Sequence, residues 1–247
     1  MILVDADVLV YRFSNASEYV SEWHDDLWTL HGDLGQAKDM LAQFVSELKA
    51  DLGMDEVRMF LSEGSNFRKE VYPPYKANRK SKRKPILFAP FRQHIRDEYD
   101  CEEVAGLEAD DLLGRAGYRR SDRIVATIDK DLHTCECKVY NWDKPELGVQ
   151  TINSRDAAVM FYTQILTGDS VDNYPGCKGI GPKTAEKILE PCESPEMMRE
   201  AVLKTYRKSN LSPEFALTQA RCAYILKKPT DWHPETGVNL WTPPFSV

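Results

Sequence analysis

The stretch ILVD (Ile2–Asp5), three aliphatic residues running into an acid, sets the reading of everything around it. An uninterrupted apolar run of that length suits a buried strand, and here the strand ends on a carboxylate. Ala37, Met40, Leu41, Phe44, Val45 and Leu48 then recur at helical spacing and stop near Gly53, so a helix follows. VRMFL (Val57–Leu61) and RIVATI (Arg123–Ile128) are further β-rich runs, the helical GLEADDLLGRAGY lies between them, and KVYNW (Lys138–Trp142) reads as a later strand. Strands alternating with helices predict an α/β fold: a mostly parallel twisted sheet with flanking helices. From about Ser154 the pattern turns helical, and Pro229–Val247, rich in proline and tryptophan, reads as an irregular strap. The expected division is therefore an α/β core over 1–153 and a helical lobe with its strap over 154–247. A chain of 247 residues suffices for one core plus a small lobe.

No repeat or low-complexity tract interrupts this pattern. The apolar runs fall far short of the ~20 residues of a membrane span, and MILVDAD places acid where a signal peptide needs an apolar run. A cytoplasmic protein with no membrane partner is expected. The six cysteines, Cys101, Cys135, Cys137, Cys177, Cys192 and Cys222, show no disulfide-framework spacing, so reduced thiols are the default. Cys135 and Cys137 with His133 are spaced too tightly for an ordinary zinc site, and no second pair follows.

The acids carry the chemistry. Asp5, Glu63, Asp129 and Asp131 lie just past the carboxyl ends of predicted strands, the edge at which open parallel sheets bind ligands. Glu108, Asp110 and Asp111 open a helix, where one or two acids need no explanation beyond the helix dipole. Asp169 and Asp172 complete nine carboxylates brought to one edge. Such a set repels itself unless cations bind, and hard oxygen ligands suit Mg²⁺ or Mn²⁺. Against a formal net charge of −7, those nine leave +2 for the rest of the chain, so the acidity is largely the site.

The segment KANRKSKRK (Lys76–Lys84) carries six cations, Lys76, Arg79, Lys80, Lys82, Arg83 and Lys84, flanked by Tyr72, Tyr75, Phe88 and Phe91. A charge run is usually a solvated loop. Aromatic flanks beside a metal site fit instead an arm that contacts phosphates and stacks on bases. Further on, GDSVDNYPGCKGIGPKTAEKIL (Gly168–Leu189) places Gly181 as an N-cap and Pro182 at the first helical position. Free N–H groups there point at an anion, with Gly179 in the turn and Lys183 and Lys187 adding charge. The pattern resembles the glycine hairpin of helix-hairpin-helix proteins, which grips a DNA backbone without reading bases. Its plain alternative is a capped helical hairpin.

Together ILVDADVLV, FRKEVYPPYKANRK, LEADDLLG, TIDKDLHT, GDSVDNYPGCKGIGPKTAEKIL and the closing NLWTPP resemble the 5′-nuclease (flap endonuclease) family, and within it the phage T7-type 5′ to 3′ exonucleases. The resemblance covers nearly the whole chain. It implies a PIN-like nuclease core with a basic arch over 72–92 and a C-terminal helix-hairpin-helix (H3TH) lobe. It implies two Mg²⁺, replaceable by Mn²⁺, on Asp5, Glu63, Glu108, Asp110, Asp111, Asp129, Asp131, Asp169 and Asp172, and K⁺ at the hairpin turn. Tyr75, Lys76 and Arg79 fall where the family acts on the scissile phosphate, and Arg68, Lys80, Lys82, Arg83, Gly176, Gly179, Gly181, Lys183, Thr184 and Lys187 where it holds DNA. The implied activity is 5′ to 3′ hydrolysis from duplex ends, flaps or gaps, extending to RNA·DNA hybrids, by a phage-encoded monomer in the host cytoplasm.

Two other readings compete. LVDADVL with a distant GDSVDN imitates haloacid-dehalogenase phosphatases, with Asp5 as nucleophile, but leaves Glu108–Asp111 and the basic arm without a role. A non-catalytic DNA-binding module would use the hairpin and the arm, and gain nothing from a self-repelling acidic cluster.

Overall fold

The computed structural model describes residues 1–79 and 82–243; Lys80 and the end of the strap, 244–247, lie outside the described residues. In chain order it forms β1 (Ile2–Asp5), α1 (Ala6–Ala16), β2 (Glu18–Glu22), β3 (Trp28–Gly32), α2 (Leu34–Leu52), β4 (Val57–Phe60), α3 (Arg68–Val71), α4 (Phe88–Glu98), β5 (Cys101–Glu102), α5 (Ala109–Gly117), β6 (Ile124–Ala126), β7 (Lys138–Tyr140) and β8 (Val149–Thr151). Helices α6 (Ser154–Thr167), α7 (Pro182–Leu189), α8 (Pro195–Lys208) and α9 (Pro213–Ala223) follow, then the short β9 (Trp232–His233) and β10 (Gly237–Val238).

The main sheet runs in the order β5-β4-β1-β6-β7-β8. Its pairs are parallel except β7 with β8. The apolar run of β1 is buried at every residue because both of its faces are covered. Its side chains alternate: Leu3 joins the cluster formed with α5 and α6–α9, while Ile2 and Val4 join the cluster formed with α1, α2 and α4. The sheet therefore lies between two helical layers, and the helices after Ser154 share a core with one face of it. Helix α2 starts where Asp33 accepts from the Gln36 N–H and ends at Gly53, whose φ of 61° is the left-handed cap that glycine supplies cheaply.

Helices α1 and α4 and the edge strand β5 were not expected, nor were two exposed features. The antiparallel β8 is short and largely exposed. The ribbon β2–β3 leaves Tyr19, Val20, Trp23, Leu27, Trp28 and Leu30 on the surface, so no buried face marks it as a pair of strands. The strap is less irregular than its composition suggests, because β9 and β10 pair and Trp232 and Trp241 pack against the core. Among the described residues no helix is long and apolar enough to cross a membrane.

Candidate active site

The carboxyl ends of β1, β4 and β6, the first turn of α5 and the loop after α6 meet at one cleft of ≈ 1080 Å³. Asp5, Asp7, Glu63, Lys76, Arg79, Glu108, Asp110, Asp129 and Asp172 line it. Behind it, Glu108, Asp110, Asp131, Asp172 and Tyr75 border a small recess. Asp5 is 4% exposed and accepts from Thr127 Oγ1 at 2.9 Å. The same hydroxyl accepts from the Asp129 N–H, and Asp129 caps the turn Lys130–Thr134 by accepting from the Asp131 N–H at 2.8 Å. Gln164 on α6 donates to Asp131 at 2.5 Å.

Asp169 and Asp172 sit in a loop that Asp169 organises by accepting from the N–H groups of Val171 and Asp172. Gly168 and Gly176 close its base, both at positive φ. A Cβ on Gly168 would lie 2.5 Å from the Gly176 nitrogen, so both positions require glycine.

Burial and mutual repulsion act on the acids in common. Burial, then Asp7, pushes the Asp5 carboxyl up to about 7. Burial, then Asp129 and Asp169, does the same to Asp131, also to about 7. Burial with Asp129 and Asp5 holds Asp110 well above the carboxylate range, and burial raises Asp129 too. Glu108 is different: burial would raise it, but Lys76 and Arg68 outweigh burial and hold it low. Asp169 is likewise held low against burial by the Asp172 N–H and Lys130. A donor set made only of oxygens, whose members raise one another's pKa, fits hard divalent cations. Among the described residues no three Asp, Glu, His or Cys side chains are already gathered around one ion position. Cationic side chains stand among them instead. Lys76 Nζ lies 2.5 Å from Glu108 and 3.5 Å from Asp172, Arg79 Nη2 lies 2.6 Å from Asp172, and Lys130 Nζ lies 3.2 Å from Asp169.

The structure places the other expected site residues differently from one another. Arg68 is 2% exposed and ion-paired with Asp111 and Glu108, so it offers nothing to DNA. Asp111 is 0% exposed, meets Arg68 with both oxygens and does not line the cleft. Tyr75 is 3% exposed, and its hydroxyl stands between two carboxylates, 2.9 Å from Glu108 and 2.7 Å from Asp172. Gly176 is an inner turn whose N–H donates to Gln219, and not a surface contact. Glu63 is exposed and is engaged by Ser65 and the Gly106 N–H at the rim of the cleft. Arg83 is exposed but paired with Glu18, Lys82 is exposed, and Lys80 lies outside the described residues. Between Tyr72 and Leu87 the described residues form only the short turn Ala77–Arg79, with no helical arch.

Gly179, Gly181, Lys183, Thr184 and Lys187 are all exposed on the turn into α7. Only Gly179 has positive φ, 82°; Gly181 caps α7 at φ −98°, which any residue adopts. The sequence reading missed Asp7. It accepts from the Ser62 N–H and from Arg92, itself 8% exposed, and burial raises its pKa. Its signal was present in VDAD, where a second acid two residues on stands in the opening turn of α1.

A family model described as the 5′-3′ exonuclease N-terminal resolvase-like domain matches residues 1–161. An exodeoxyribonuclease of Enterobacteria phage T3 is 26% identical over 98% of this chain and 93% of its own length. An exonuclease of Escherichia phage T7 is 30% identical over 76% of this chain and 66% of its own. In fold, the chain is similar to the T5 D15 protein co-crystallised with metal ions, with a TM-score of 0.61 and 16% identity over 91% of this chain and 89% of that one.

Proposed function

The chain belongs to the 5′-3′ exonuclease family, and from that premise we propose that it is a divalent-metal-dependent nuclease hydrolysing DNA phosphodiesters from 5′ ends. The phosphatase and binding-module readings fall with that membership. One observation carries the proposal: carboxylates from five separate segments share one cleft with Lys76 and Arg79. Asp5, Glu108, Asp110 and Asp129 would hold one Mg²⁺ or Mn²⁺, and Asp131, Asp169 and Asp172 a second, with Glu63 at the rim. When bound, such cations supply Lewis-acid stabilisation of the phosphodiester and a water deprotonated at neutral pH.

The chain's own residues supply the rest. Lys76 and Arg79, on the arm over the cleft, neutralise charge developing on the phosphoryl oxygens. Tyr75, Thr127 and Gln164 fix the orientation of Glu108, Asp172, Asp5 and Asp131 through the contacts given above. Lys82 and Lys84 extend the positive surface along the arm. Residues 1–153 would act as the catalytic unit and 154–247 as the DNA-holding lobe, in a monomer in the cytoplasm of a phage-infected host. Duplex 5′ ends are the preferred substrate, with flaps, gaps and RNA·DNA hybrids secondary. Duplex, flapped, gapped and hybrid substrates labelled at either end test this with Mg²⁺ or chelator. Stepwise release of 5′-phosphorylated mononucleotides from duplex ends, abolished by chelator, is expected. Metal-independent cleavage, or no cleavage of any substrate, would overturn the reading.

The turn into α7 gives a separate test. A Cβ at Gly181 meets no atom within 4 Å, so Gly181→Val has room in the free protein and is expected to change unfolding stability by about 1 kcal/mol or less. It crowds the approach of a phosphate to the helix N–H groups, and K⁺ at the turn would serve the same contact. Duplex affinity should therefore fall equally for all base sequences, with a shallower salt dependence. Unchanged affinity and salt slope would make the turn a helix cap alone.

A further inference from the structure

Every carboxylate oxygen of Glu108 and Asp172 is already taken by a protein donor. Glu108 Oε1 receives Lys76 Nζ at 2.5 Å, and Oε2 faces Arg68 at 3.2 Å and the Tyr75 hydroxyl at 2.9 Å. Asp172 Oδ1 receives Arg79 at 2.6 Å, and Oδ2 faces Tyr75 at 2.7 Å and Lys76 at 3.5 Å. Asp110, by contrast, receives no hydrogen bond from any described residue, and burial with Asp129 and Asp5 outweighs Lys76 in disfavouring its ionised form. The site is thus half open and half closed.

The closure is built from the arm. The Lys76 N–H donates to the Asp172 carbonyl at 2.8 Å, Asn78 donates to the Ser170 carbonyl at 3.1 Å, and Asn173 donates back to the Pro74 carbonyl at 2.6 Å. Lys76 does this at φ 53°, a left-handed backbone that a lysine adopts at a cost. Its side chain is 14% exposed, whereas the Arg79 side chain is 44% exposed and reaches Asp172 from the rim.

We propose that Lys76 and Arg79 are a lock on the metal site that a DNA phosphate opens. The two side chains hold Glu108 and Asp172 in place of a divalent cation; an arriving phosphodiester offers them a competing anion, draws them off, and frees both carboxylates. Metal and DNA then bind with positive coupling, and by linkage each raises the affinity of the other by the same factor. This rests on the nuclease reading, since it takes those carboxylates as metal ligands. The lock itself is a property of the chain in the absence of DNA.

The test titrates Ca²⁺ calorimetrically into the wild type, Lys76→Met and Arg79→Met, alone and with a 5′-ended duplex. Expected for the wild type is a rise in Ca²⁺ affinity of about 10-fold on adding the duplex, within the usual range of coupling between sites. A duplex whose terminal linkages are uncharged methylphosphonates should give no rise. Each variant should bind Ca²⁺ about 10-fold more tightly than the wild type without DNA and show little further gain with it. Arg79→Met changes a half-exposed side chain and serves if Lys76→Met does not fold. Unchanged or weakened Ca²⁺ binding in the DNA-free variants overturns the lock even if the wild type cleaves DNA. Tightened binding in a protein that cleaves no substrate upholds the lock and overturns the nuclease reading instead.

Discussion

Asp110→Asn is expected to stop hydrolysis while making the metal-free fold more stable. Asp110 is held above the carboxylate range by burial, by Asp129 and by Asp5, and no described residue donates a hydrogen bond to it. An asparagine keeps its shape and cannot ionise, so it carries none of the cost the acid pays where the folded cluster disfavours its charged form. Stability in chelator should rise by about 1–2 kcal/mol, the usual gain when a strained functional group is relieved. The same change removes an anionic oxygen ligand from the cleft. Single-turnover cleavage should fall by at least about 10³-fold, roughly 4 kcal/mol of transition-state stabilisation. Cleavage within tenfold of wild type would remove Asp110 from the metal set, and a lower melting temperature in chelator would show that the fold does not disfavour its ionised form.

The same repulsion sets a pH dependence whose sign follows from Asp5 and Asp131, both raised to about 7. The unfolded chain releases these protons near pH 4 and the folded protein holds them to about pH 7. Their contribution to stability is fully present below pH 4 and is lost as pH rises through 7. In chelator the melting temperature should decline between pH 5 and 7.5, and saturating Mg²⁺ should remove the decline by binding the ionised forms. A flat profile in chelator would mean that Asp5 and Asp131 titrate normally.

The sheet was legible because buried parallel strands are short apolar runs, and ILV, VRMF and IVA could be little else. The edge bearing the acids was legible for the same reason, since each run leads directly into them. The direction of neighbouring side chains was not. Asp110 and Asp111 are adjacent on a helix, about 100° apart around its axis, so one faces the cleft and the other the core. Nothing local tells which, because the decision is made by Arg68, 43 residues earlier. Tyr75 and Lys76 repeat the problem: two residues of one motif meet the same carboxylates, Tyr75 from the core at 3% exposure and Lys76 from the arm. The β2–β3 ribbon escaped for a third reason, since its apolar side chains face solvent and give no buried-face alternation.

Asp111→Ala is expected to fail by unfolding, not by losing a catalytic oxygen. The Arg68 guanidinium has five N–H donors and all are used. Nε donates to the Cys222 carbonyl, Nη1 to Glu108 and Asp111, and Nη2 to Asp111 and the Tyr224 carbonyl. Asp111 in turn accepts from Arg68 at both oxygens, from the Leu226 N–H at 3.1 Å and from the Glu108 N–H at 3.2 Å. This contact joins α3, the start of α5 and the end of α9 inside a core from which water is excluded. Deleting the carboxylate strands a buried guanidinium, at a cost of about 3–5 kcal/mol, a large part of the stability of an ordinary domain. Urea unfolding of Asp111→Ala should show that loss, and its residual activity should track the folded fraction. Replacing both partners, as Arg68→Met with Asp111→Leu, removes the stranded charge and should recover much of the stability, because a buried ion pair exchanged for apolar groups of similar volume is often neutral. If Asp111→Ala instead unfolds at the wild-type urea concentration and is still inactive, its carboxylate serves the metals and the Arg68 contact is incidental.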